Sequence, residues 1–163
     1  MSDPFVSAVR DPRQPAPRPP LLVLLHGIGA DEHDLLAVAD ALDPRLAVAS
    51  LRAPHEAEPM GYAWYAMDWS RRPPAADLAQ AEQSRAAIAA FLPDLVARLA
   101  ADPARVFLFG FSQGAIMSLE VALTRPDLVR GVVLHSSRAR CARCSRRASE
   151  TGSPTASTTA ATS

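Results

Sequence analysis

Gly110-Phe111-Ser112-Gln113-Gly114 sets a serine between two glycines, directly after the apolar run Arg105 to Phe109 and directly before a helical pattern. A serine at such a strand–turn–helix junction is placed to act as a nucleophile. The glycines are expected to let the backbone bend sharply, lifting the hydroxyl out of a sheet and to the positive end of the following helix. A hydroxyl attacks only when a histidine takes its proton and an acid orients that histidine, and behind this kind of elbow both partners come later in the chain. Downstream of Ser112 the only histidine is His135, and the only carboxylates are Glu120, Asp127 and Glu150. A second stretch with chemical content is His26-Gly27-Ile28-Gly29, which follows the apolar run Leu21 to Leu25. Acyl transfer builds negative charge on a carbonyl oxygen, and each backbone N–H aimed at that oxygen is worth about 3 kcal/mol. Gln113, next to the serine, supplies one such donor and Ile28 the other.

Each of these residues also has a plainer reading. Ser112 could cap a helix in a glycine-rich turn that binds an anion, although the P-loop lysine and the dinucleotide G-x-G-x-x-G pattern are both absent. His26 is read as structural, its ring bonded to backbone. His135 ends the strand expected beside that of Ser112 and could stand in for the base, but no carboxylate is placed to orient it and a side chain on an adjacent strand can point into the sheet face instead. Trp64, Tyr65 and Trp69 pack beneath a long loop, line a substrate groove, or do both.

The elements that must position these groups alternate between strand and helix. Leu21 to Leu25 and Leu46 to Leu51 read as short buried strands, Arg105 to Phe109 and Val129 to His135 as two more. Leu35, Leu36, Val38, Ala39 and Leu42 form a helical stripe that Asp31 is expected to cap. Asp77 to Ala100 reads as a long helix bent or interrupted at Pro93, and Gln113 to Thr124 as another. Such alternation predicts an α/β fold, a parallel sheet flanked by helices, with the site at the carboxyl ends of the strands. Prolines at 12, 15, 17, 19 and 20 make residues 1–20 an expected extended arm, followed by the α/β domain at 21–137.

Composition narrows the function further. The 163 residues are 48% apolar and carry a formal net charge of zero, which gives one core and no electrostatic case for a nucleic-acid partner. No basic-then-apolar leader opens the chain and no apolar run is long enough to span a membrane, so the expected compartment is the cytoplasm. From Ser136 onward Val, Ile, Leu, Met, Phe, Trp and Tyr are all absent, and residues 138–163 are expected to be a disordered tail. Every basic residue is arginine and asparagine is absent, as in a GC-rich gene, where a shifted reading frame would yield such a tail. Cys141 and Cys144 form a lone C-x-x-C, weak evidence for metal or redox work, so neither metal nor cofactor is expected. A strand at Val129 to His135 without a covering neighbour would invite self-association.

The segments LLHGIGADEHDL and FGFSQGAIMSLEVAL resemble the phospholipase/carboxylesterase family of α/β-hydrolases, which includes acyl-protein thioesterases. Arg52-Ala53-Pro54 and Ala63-Trp64-Tyr65 extend the likeness, which runs roughly from Pro20 to Ser137. The resemblance implies hydrolysis of a small-molecule ester or acyl thioester through an acyl-serine. It assigns the nucleophile to Ser112, the oxyanion donors to Ile28 and Gln113, and part of the acyl-site wall to Trp64. The family's acid and histidine would follow in two later loops, which find no match here, so impaired activity or an inactive acyl-binding remnant is also expected.

Overall fold

The computed structural model describes residues 4–135. The expected tail from Arg138, with Cys141 and Cys144, lies outside the described residues. A five-stranded sheet is built from β1 (Ser7–Arg10), β2 (Leu21–Leu25), β3 (Ala47–Leu51), β8 (Val106–Phe111) and β9 (Gly131–His135), in the order β1-β3-β2-β8-β9. The four strands from β3 to β9 are parallel, as the apolar runs predict. Every residue of β2 and β3 is buried, because these strands have a layer on each side.

Leu21, Val23 and Leu25 face one layer, the larger core shared with α2 (Leu78–Arg98) and α3 (Gln113–Thr124). Leu22, Leu24 and Val48 face the other, covered by Leu35 and Ala39 at α1 (Leu36–Asp40). On β8 the alternation is visible: Val106 and Leu108 belong to the larger core, while Phe107, Phe109 and Phe111 pack on the smaller.

Three expectations change. Residues 1–20 are not simply an arm, since β1 pairs antiparallel with β3 and Phe5 is buried against Trp64 and Phe91, with ring centroids 6.0 and 5.7 Å apart. The proline segment is itself tied down, with the Pro20 carbonyl accepting from Ala47 N–H and the Pro19 carbonyl from Asp102 N–H, both at 2.9 Å. Asp31 caps no helix: its carboxylate accepts from the His33 N–H at 2.8 Å in a local turn, and α1 begins only after Leu35. Helix α2 runs unbroken through Pro93, which lies on the exposed face, and Asp77 caps it by accepting from the N–H groups of Ala79 and Gln80.

The long connection 52–77 carries two small ladders. β4 (His55–Glu56) pairs with β5 (Tyr62–Ala63), and β6 (Met67–Asp68) with β7 (Ala75–Ala76). Among the described residues β9 has no neighbour on its outer side, and its Val133 and Leu134 are exposed.

Candidate active site

β8 runs into α3 through one residue, Ser112, whose backbone stands at φ 51° and ψ −113°. That positive φ is costly for a residue with a Cβ, about 1–3 kcal/mol. The strained dihedral thus falls on the serine itself, while the flanking glycines serve a different need. A Cβ on Gly114 would collide with the Leu25 carbonyl, and one on Gly110 with the Gly114 carbonyl. Helix α3 can therefore press its first turn against the ends of β2 and β8 only because both side chains are missing. The Ser112 N–H donates to the His135 carbonyl at 3.1 Å, tying the turn to β9.

The parallel register sets Leu25 of β2 opposite Gly110 of β8, so the residues after them meet. A Cβ on Gly27 would stand 3.3 Å from Ser112 Cβ and 2.9 Å from the Phe111 ring, which brings the H-G-I-G loop against the elbow. Among the described residues neither the Ile28 N–H nor the Gln113 N–H is bonded to a backbone acceptor. Gln113 opens α3, where the first backbone donors have no partner within the helix.

His26 is fully buried and structural, as expected. Its Nδ1–H donates to the Gly27 carbonyl at 2.7 Å and its Nε2 accepts from the Ala53 N–H at 3.0 Å. These two bonds require the neutral ring, and burial lowers its pKa in the same direction.

The Gln113 side chain, buried at 4% exposure, clamps the aromatic loop. Its Oε1 accepts from the Trp64 N–H at 3.0 Å and its Nε2–H donates to the Tyr65 carbonyl at 2.8 Å. Ser84 of α2 donates to the Trp64 carbonyl at 2.6 Å, and the Trp64 indole N–H donates to the His26 carbonyl at 2.9 Å. Trp64 is consequently 0% exposed, which corrects its expected place in the acyl-site wall: it is a brace beneath the loop. Tyr65 is buried too, and burial pushes its hydroxyl up to about 12. Trp69, at 65% exposure, does not pack beneath the loop.

His135 lies in register with Phe111, and its ring packs on Phe109 and Phe111 at centroid distances of 6.4 and 5.6 Å. Among the described residues no histidine or carboxylate is hydrogen-bonded to the Ser112 hydroxyl, and no group of three His, Cys, Asp or Glu could hold a metal. No helix among them is long and apolar enough to cross a membrane.

One group escaped the sequence reading. Glu32, buried at 4% exposure, accepts two hydrogen bonds from Arg52, which hold its carboxyl down to about 2. The nearest sequence signal was the Arg52-Ala53-Pro54 turn, which identifies Arg52 but not its partner.

Comparison with known proteins gives a family match, described as Phospholipase/Carboxylesterase, over residues 5–158. That match starts earlier and ends later than the motif likeness from Pro20 to Ser137. Among solved structures, a carboxylesterase from Mesorhizobium loti is 25% identical with a TM-score of 0.69, aligned over 80% of this chain and 60% of its own. Esterase PE8 is 33% identical with a TM-score of 0.68, over 78% of this chain and 61% of its own. The Bacillus cereus carboxylesterase, 21% identical with a TM-score of 0.68, covers 83% of this chain and shares the fold. The chain thus spans about 60% of the length of these structures. No curated protein matched.

Proposed function

Since the chain belongs to the phospholipase/carboxylesterase family, with an α/β-hydrolase-type fold, we propose that it is a serine hydrolase of carboxylic ester or thioester bonds, acting through Ser112. The observation that carries this reading is the strained Ser112 elbow packed against the Ile28 loop. Attack of the Ser112 oxygen on the substrate carbonyl carbon forms a tetrahedral oxyanion, which the N–H groups of Ile28 and Gln113 receive. The alcohol or thiol leaves, and water then releases the acid from the acyl-serine. Trp64, Gln113 and Ser84 keep the aromatic loop rigid behind those donors.

The described residues bring no base to Ser112, which favours a second reading in which the chain binds acyl groups with little turnover. Loss of the base removes about 10⁶-fold from a serine enzyme, so ester hydrolysis is expected to be orders of magnitude below that of ordinary esterases. A fluorophosphonate probe and p-nitrophenyl butyrate test both readings. Probe adduct on Ser112, abolished by Ser112→Ala, supports the hydrolase reading. No adduct at Ser112 under prolonged exposure removes it and leaves acyl binding.

A further inference from the structure

The loop that carries Ile28 is held by a partner far along the chain. Gly29 N–H donates to the Tyr62 carbonyl and Tyr62 N–H to the Ala30 carbonyl, both at 2.9 Å, making a bridge between residues 30 and 62. Gly61 approaches so closely that a Cβ there would overlap the Gly29 carbonyl. Tyr62 is gripped in turn by Arg52, whose guanidinium carbon lies 4.6 Å from the Tyr62 ring centroid and whose Nη1 donates to the Tyr62 hydroxyl at 3.3 Å. The other side of the same guanidinium donates to Glu32, Nε to Oε2 and Nη2 to Oε1, each at 2.6 Å.

Glu32 lies two residues beyond Ala30, on the continuation of the Ile28 loop. One cation therefore grips the loop on one side and its brace on the other. Arg52 is itself fixed at the end of β3, where its N–H donates to the Val6 carbonyl at 2.8 Å.

From this arrangement we infer that Arg52 is a positioning residue for the oxyanion donor, riveting the Ile28 loop to Tyr62 through Glu32. The inference rests on the reading of Ile28 as that donor. A planar fork is needed, because the bidentate bond to Glu32 and the stack on Tyr62 use different parts of one flat group. Lysine supplies the charge without either geometry. Releasing the rivet lets the Ile28 N–H leave its aim while Ser112 keeps its own elbow. A misplacement of about 1 Å at a catalytic group costs up to about 100-fold, so about 10- to 100-fold is expected in the chemical step.

The test uses the full chain with Arg52→Met and Arg52→Lys, reading kinact and KI for a fluorophosphonate, and amide hydrogen exchange. In both variants kinact should fall by about 10- to 100-fold, the lysine variant less, with KI little changed. Exchange should accelerate at residues 28–31 and 62 while β2 and β8 keep their protection. Unchanged kinact, or unchanged loop exchange with an intact core, overturns the inference. If Arg52→Met also loses core protection, Arg52→Lys decides by the same two readouts. Should the wild-type chain never label at Ser112, the hydrolase reading fails, and loop exchange alone decides whether Arg52 holds the loop.

Discussion

Replacing Gln113 by alanine leaves its backbone N–H in place and removes only the amide that joins the elbow to the aromatic loop. Two buried groups then lose their partners, the Trp64 N–H and the Tyr65 carbonyl. At about 1–3 kcal/mol for each unsatisfied group, the cost is about 2–6 kcal/mol. That is a large part of the roughly 5–15 kcal/mol of a typical domain. Gln113→Glu is the more selective substitution because it preserves shape. One carboxylate oxygen still accepts from Trp64, but the other now faces the Tyr65 carbonyl across a contact that measures 2.8 Å for the amide.

Two lone-pair surfaces repel in a buried place, so the introduced carboxyl holds its proton in the folded state and its pKa rises above the unfolded value. The folded chain then binds more protons than the unfolded one between those two pKa values, and stability relative to wild type falls as pH rises through that window. Urea unfolding followed by tryptophan emission, with the buried Trp64 as reporter, should be run near pH 5 and pH 8, each variant against wild type at the same pH. The alanine cost should match at both; the glutamate cost should be larger at pH 8. An alanine cost below about 1 kcal/mol, the net worth of one ordinary hydrogen bond, or a glutamate cost independent of pH, refutes the clamp.

Ser112→Gly should stabilise the chain while eliminating probe labelling. Relief of about 1–3 kcal/mol of strain exceeds the roughly 0.5–1 kcal/mol of extra glycine entropy. A rise of about 2–4 °C in Tm corresponds to a net gain near 1 kcal/mol, and Ser112→Ala, which keeps its Cβ, should show no such rise. A second expectation concerns His26. Burial lowers its pKa, so the unfolded chain takes up a proton that the folded chain refuses. Stability is then full above the ordinary histidine value of 6.5 and declines as pH falls below it, by at most about 1.4 kcal/mol per pH unit. His26→Gln should flatten that decline between pH 7 and pH 5.5; an unchanged slope would assign it elsewhere. The Glu32 window is separate, opening only as pH falls below 4.5 toward about 2.

What could be read from the sequence was whatever had a local period or a short motif. Leu21–Leu25 is apolar at every position because both faces are covered, and Ser112 with its glycines marks the elbow without any partner being known. The closeness of the Ile28 loop to Ser112 had no such signal, since it depends on β2 pairing with β8, which brings Gly27 against the elbow. Strand β1 was hidden by the prolines after it and by exposed Val9 within it, so its pairing with β3 left no apolar alternation to find. The start of α1 was misplaced because Asp31 bonds two residues ahead instead of capping a helix. Burial of Trp64 depends on Gln113 and Ser84, 49 and 20 residues away, and the Glu32–Arg52 pair spans 20 residues. Contacts at such separations have no spacing rule, so only the folded chain displays them.

The steric demands at the elbow also decide what a mutational scan of this protein would mean. Gly110, Gly114 and Gly61 each have backbone atoms where a methyl group would go, so variants there should vanish from any library selected merely for cellular abundance. Ser112, whose side chain makes no capping bond and whose dihedrals disfavour it, should accept glycine or alanine under that selection. Tolerance at Ser112 beside intolerance at its glycines would therefore separate what folding demands from what hydrolysis demands. The glycines would persist in a lineage that had given up catalysis, whereas the serine hydroxyl would drift away within it. Retention of that one oxygen atom across descendants is thus the genetic signature of a working enzyme, and retention of the surrounding motif is not.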